Sequence, residues 1–87
     1  MMKITFIDTA WEDYLWFQEM DKKLLKRINL IIKDIQRNPL EGIGKPEPLK
    51  ANLSGYWSRR INTEHRLVYK INEDQMIIVS CRFHYPV

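Results

Sequence analysis

The chain has 87 residues, 45% hydrophobic and 29% charged, the balance of an ordinary soluble domain, and its length predicts a single domain over 1–87 with a modest core. No apolar run approaches the roughly 20 residues of a membrane span, and the short apolar start soon meets Asp8, Glu12 and Asp13, unlike a secretory leader. The lone cysteine, Cys81, excludes an internal disulfide, and no Cys/His spacing resembles a zinc site, so a cytoplasmic protein without metal or other cofactor is expected. The net charge of +3 is unevenly spread: residues 1–20 sum to −3 and residues 21–87 to +6. A basic remainder suits a polyanion or an acidic partner, although scattered surface charge accounts for it equally well.

"KITFI" at 3–7 is β-branched and aromatic and reads as a short strand. Thr9 with Glu12 three residues later predicts a capping box opening a helix, with Trp11, Tyr14, Leu15 and Phe17 on its apolar side. Asp21 predicts the cap of a second helix, in which Leu24, Leu25, Ile28, Ile31, Ile32 and Ile35 recur at helical spacing. Lys22, Lys26, Lys33 and Arg37 take its other side, which reads first as a solvated face and second as a surface for RNA phosphates. Asn38-Pro39 ends the helix. Residues 39–55 hold three prolines and three glycines, a loop long enough to suggest function. "YWSRRI", "RLVYKI" and "MIIVSCRFHY" then read as strands separated by short turns. The plan is α+β: two N-terminal helices on one face of a largely antiparallel sheet.

Alternation along the strands puts Leu67, Tyr69 and Ile71 on one face, opposite Arg66, Val68 and Lys70. In the last strand it predicts Ile77, Val79, Cys81 and Phe83 facing the helices, and sends Arg82 and His84 to the outer face with Arg66. A cation-rich face beside a rigid loop suits a phosphodiester. Glu47 stands in that loop, between Pro46 and Pro48 and between Lys45 and Lys50. A carboxylate, an arginine and a histidine are the groups that RNA self-cleavage needs: a base for the 2′-hydroxyl, positive charge for the phosphoryl oxygens and an acid for the leaving 5′-oxygen. Each residue also has a plainer reading. Glu47 is then a solvated charge, His84 ordinary surface, and Arg66 the partner of Glu64 or Glu73 in a weak surface bridge. Trp11, Trp16 and Trp57 read as core or interface, and His65, in a turn, has no assigned role.

At "GKPEPLK", "LSGYWSRRI", "EHRLVYKI" and "CRFHY" the chain resembles the YoeB (Txe) toxins of the wider RelE-like group, and "WEDY" and "IKDIQRNP" extend the likeness over nearly its whole length. The resemblance implies a RelE-like fold and an mRNA endoribonuclease that cuts the codon in the A site of the small ribosomal subunit. It implies Glu47 as general base, Arg66 as phosphate stabiliser, His84 as general acid and Tyr85 as the residue that positions the message. Lys50 and Arg60 match basic positions around that site, Lys45 is added by proximity, and Arg82 by its expected place on the sheet face. The resemblance further implies a homodimer and a YefM-like antitoxin whose flexible, acidic C-terminal region folds on the toxin. Family members end at the His-Tyr pair, whereas here Pro86 and Val87 follow. The alternative is a module of the same scaffold that binds antitoxin or RNA without cutting.

Overall fold

The computed structural model describes residues 2–83; His84 and Tyr85 therefore lie outside the described residues. In chain order the elements are β1 (Lys3–Phe6), α1 (Asp8–Met20), α2 (Lys22–Arg37), β2 (Glu47–Pro48), a 3-10 turn (Ala51–Leu53), β3 (Trp57–Arg60), β4 (Arg66–Asn72) and β5 (Gln75–Ser80). The five strands form one sheet in the order β1-β5-β4-β3-β2, antiparallel except for β1 beside β5. Both helices pack on one face of it, as expected. Among the described residues no helix is long and apolar enough to cross a membrane.

The α2 stripe behaves as its spacing predicts. Ile28, Ile31, Ile32 and Ile35 are buried and join Ala10 and Phe17 of α1 over Leu67, Tyr69, Met76 and Ile78 of the sheet. The Asp21 side chain caps the helix by accepting from Leu24 N at 3.1 Å. The start of α1 differs from expectation. Ile7 occupies the cap position and makes no side-chain cap, while Thr9 and Glu12 lie inside the helix. The reason is the strand before it: Ile7 N still donates to Ile78 O at 3.1 Å, so the chain passes from sheet to helix without a spare residue to cap. Tyr14, Phe6 and Trp11 cluster at this end with centroids 5.2–5.6 Å apart, and Trp11 stays half exposed. Trp16 and Trp57 pack against the core, as expected for core tryptophans.

The facing of β5 is a second correction. Met76 and Ile78, not Ile77 and Val79, turn towards the helices, where they sit opposite Ile71 and Tyr69. A two-residue turn at Glu73-Asp74 sets this register by pairing Asn72 with Gln75, and Glu73 adopts the left-handed φ of +57° that such a turn uses. The ladder then slips: Tyr69 pairs with Ile78 but Val68 with Ser80, so Val79 is an extra residue. This bulge reverses the phase, which is why Cys81 is buried as expected while the residues before it are not on the expected side.

Candidate active site

Glu47 owes its place to β3 and to a buried arginine behind β3. The segment from Gly44 to Leu49 runs along the edge of β3: Gly44 O accepts from Arg60 N at 2.6 Å, Glu47 pairs with Ser58, and Leu49 N donates to Tyr56 O at 2.9 Å. Prolines on both sides of Glu47 are tolerated because this is an outer strand, where missing N–H groups face no partner. Gly44 is needed here. Its φ is +80°, and a Cβ would lie 3.0 Å from Arg60 O and 3.1 Å from Arg59 Cβ.

Arg59 is wholly buried, and all five of its N–H donors are used. Nε donates to the Tyr69 hydroxyl (3.2 Å), Nη1 to Asp34 Oδ2 (2.5 Å) and Ile43 O (3.2 Å), and Nη2 to Asn38 O (2.5 Å) and Glu41 O (3.0 Å). Asp34 Oδ2 also accepts from Ile43 N at 3.0 Å, and Tyr69 donates onward to Pro39 O at 2.7 Å. One guanidinium thus ties the end of α2, the 38–43 turn and the sheet into a single unit just ahead of Glu47. Its hydrogen bond holds the Asp34 carboxyl below the usual carboxylate range. Burial pushes the Tyr69 phenol above its ordinary value despite the neighbouring guanidinium.

Directly paired residues of an antiparallel ladder share a face. Glu47, Ser58 and Val68 therefore stand in one row on the outer face, with Ser80 continuing it. Two residues further along β3, Arg60 pairs with Arg66 in the next row, roughly 7 Å on by strand geometry. So the structure gathers Glu47, Arg60 and Arg66 on one face, with Lys45 and Lys50 exposed on either side of the short strand that carries Glu47. The segment before β3 folds over the rest of this face: Lys70 Nζ lies 5.3 Å from the Tyr56 ring centroid, and Leu53, Tyr56 and Val79 line one cleft.

Arg66 is half-buried and has no carboxylate partner among the described residues, so the bridge to Glu64 or Glu73 is not formed. Its Nη1 donates instead to the carbonyls of Asn62 (2.8 Å), Thr63 (3.5 Å) and His65 (3.1 Å). That fixes one prong of the guanidinium fork. Arg82 is a correction. Its guanidinium lies over Trp16 of α1, 3.7 Å from the ring centroid, and not beside Arg66 on the outer face. The physical reason is that β5 ends at Ser80, so strand alternation no longer steers the side chain and cation–π attraction to the indole does. Cys81 is buried with Sγ 3.7 Å from Ala10 O, and burial pushes its thiol up to about 12.

Two residues of this region have no role assigned from the sequence. Arg59 is hidden beside Arg60, yet alternation alone requires that one of two adjacent strand arginines face the helices, and a buried arginine demands acceptors. His65 is the other: it is 5% exposed and its ring packs edge-on to Phe17, 5.2 Å between centroids.

Two helices on one face of a mostly antiparallel five-stranded sheet make a RelE-like fold. At the level of fold, YafQ of Escherichia coli superposes with a TM-score of 0.80 at 17% identity, over 97% of this chain and 94% of that one. The chain belongs to the YoeB-like toxin family of bacterial type II toxin–antitoxin systems, whose family model matches residues 6–85. The Synechocystis Toxin YoeB is 73% identical over 84 residues, 97% of this chain and 98% of the relative. The Staphylococcus aureus YoeB dimer is 58% identical with a TM-score of 0.90, over 97% and 98% of the two chains. The heterotetrameric YoeB–YefM complex of that organism matches at 57% and 0.90, over 98% and 99%.

Proposed function

We propose that residues 1–87 form one toxin domain that cuts mRNA in the decoding site of the ribosome and so halts translation. The observation that carries this reading is the placement of Glu47 on the same outer sheet face as the Arg60–Arg66 pair. A pure anion-binding face gains nothing from a carboxylate, which repels phosphate; a face that must take a proton beside a phosphate needs one. In the reaction, the message's 2′-oxygen forms a bond to the adjacent phosphorus as Glu47 takes its proton. The bond from phosphorus to the 5′-oxygen breaks, and His84 supplies the proton that this oxygen accepts. The products are a 2′,3′-cyclic phosphate and a 5′-hydroxyl. Arg66 neutralises the charge that grows on the phosphoryl oxygens. Arg60, Lys45 and Lys50 draw in the backbone, and Tyr85 holds a base. These residues supply every proton and charge the step needs, with no metal or cofactor in it.

The partners follow from the relatives. The S. aureus protein is known as a dimer and in complex with YefM, so this chain forms a homodimer and is held inactive by a YefM-like antitoxin. An acidic antitoxin segment that folds on binding suits the basic outer face. The setting is the cytoplasm, where the ribosome is.

The test is mRNA cleavage by purified protein with and without ribosomes, beside Glu47→Gln and His84→Ala. Cleavage that both variants lose supports the acid–base reading. A folded protein that binds antitoxin but never cuts is a binding module, and the proposal falls.

A further inference from the structure

We infer that His65 is a positioning residue, whose ring fixes the backbone of Phe83, the residue before His84; this rests on the cleavage reading above. Phe83 N donates to His65 Nδ1 at 2.8 Å, and Phe83 O accepts from Arg66 N at 2.8 Å. Both polar backbone groups of the residue before His84 are thus held by the pair His65-Arg66. β5 has already ended at Ser80, so no strand carbonyl is there for Phe83 N, and the imidazole takes that carbonyl's place. The hold works against the backbone's own preference. Phe83 has a φ of +64°, a left-handed conformation that a bulky residue adopts only when its surroundings impose it. Its side chain cannot impose it, being 54% exposed.

The ring is itself fixed. Asn62 Oδ1 accepts from both Glu64 N (2.9 Å) and His65 N (2.7 Å), and His65 O accepts from Ile61 N (3.0 Å). Phe17 meets the ring edge-on, and Phe83 lies against it at 5.8 Å. Because Nδ1 accepts a hydrogen bond, its proton is on Nε2, which points towards Glu64 Oε1 at 3.5 Å. A surface turn has no need of a buried, tautomer-specific histidine. A site that requires an acid beyond β5 has: Arg66 and Phe83, the residue before His84, are held by one unit, so the phosphate ligand and the backbone entering the proton donor share a frame.

The test compares His65→Leu, which removes the acceptor, with His65→Asn, whose Oδ1 can occupy the place of Nδ1. Each is measured alone and with His84→Ala. The Phe83 amide is expected to exchange slowly with solvent in the wild type and in His65→Asn, and fast in His65→Leu. His65→Leu is expected to lower the single-turnover cleavage rate by about tenfold or more, the scale of a small misplacement, with KM little changed and with His65→Asn largely restored. On the residual cleavage of His84→Ala, followed over long incubations at high enzyme concentration, His65→Leu should cost nothing further, since there is no acid left to misplace. A loss through general destabilisation would instead multiply in both backgrounds and overturn the inference. So would a folded His65→Leu that cuts at the wild-type rate, or a fast-exchanging Phe83 amide in the wild type. Absence of cleavage by the wild type sinks the cleavage reading and this inference with it; a cutting wild type with an indifferent His65→Leu sinks this inference alone.

Discussion

Arg59, on β3, and Asp34, on α2, meet through a 2.5 Å hydrogen bond that closes the helix layer onto the turn leading to Glu47. The arginine is wholly buried and the carboxylate 23% exposed. The turn that leads to the proline-flanked strand is therefore held from behind the sheet.

Breaking this pair should be costly. Replacing Arg59 by Met leaves Asp34 and the carbonyls of Asn38, Glu41 and Ile43 without their donor, and a loss of about 3–5 kcal/mol is expected. Asp34→Asn keeps an acceptor for the guanidinium and should cost less, about 1–3 kcal/mol. Urea unfolding measures both; equal stability of Arg59→Met and the wild type would remove the pair from the account.

The same pair sets a pH dependence. The Asp34 carboxyl is held below its ordinary value of 3.8, chiefly by the Arg59 hydrogen bond. A depressed folded pKa stabilises fully above the ordinary value and is lost as pH falls through the depressed one. Asp13 has the opposite sign, because burial raises its carboxyl; its ionisation opposes folding above the raised value and not below 3.8. Asp34→Asn should therefore flatten the acid side of the stability curve. An unchanged slope between neutral pH and pH 3 would contradict this.

Gly44→Ala tests whether the loop geometry reaches Glu47. The added Cβ meets the backbone of Arg60 at 3.0 Å in a left-handed residue, a strain of about 1–3 kcal/mol. Thermal unfolding should show that loss, and cleavage by the folded fraction should fall as well, because Gly44 O and Glu47 are both held against β3, three residues apart. A stability loss without any change in cleavage would separate the loop from the carboxylate.

Arg66→Lys keeps the charge and removes the planar fork. With one prong committed to carbonyls, the rest of the guanidinium is the part a phosphate can use, and roughly a hundredfold loss in cleavage rate is expected with the fold intact. Full activity in the lysine variant would reduce Arg66 to a point charge.

Cys81 should resist alkylation at pH 8 until the protein unfolds. Its thiol is pushed up to about 12 and buried against Ala10, so little thiolate exists and reagents cannot reach it. Rapid labelling of the native protein would place Cys81 elsewhere.

Periodicity made α2 legible from Leu24 to Ile35, and alternation placed Leu67 and Tyr69 correctly, because both rest on burial repeated along an element. The error at Met76 and Ile78 came from a feature without any composition mark: one extra residue at Val79 inverts the phase, and only the pairing with β4 reveals it. Glu47 and Arg66 stood out through their neighbours. Arg59 and His65 did not, since their work lies in what they bond to across the chain, at Asp34 and Phe83, and such contacts leave no local pattern.

The pairing of β1 with β5 joins the two ends of the described chain, with Lys3 opposite Gln75. Among the described elements, synthesis makes β1 first and its sheet neighbour β5 last. The helices can form on local contacts as they emerge, but β1 must wait for β5, the kind of long-range closure that slows folding. Arg66 N donates to Phe83 O, so the surface around it is also finished only after β5. A nascent copy in which β5 and Phe83 have not yet emerged therefore lacks a complete sheet.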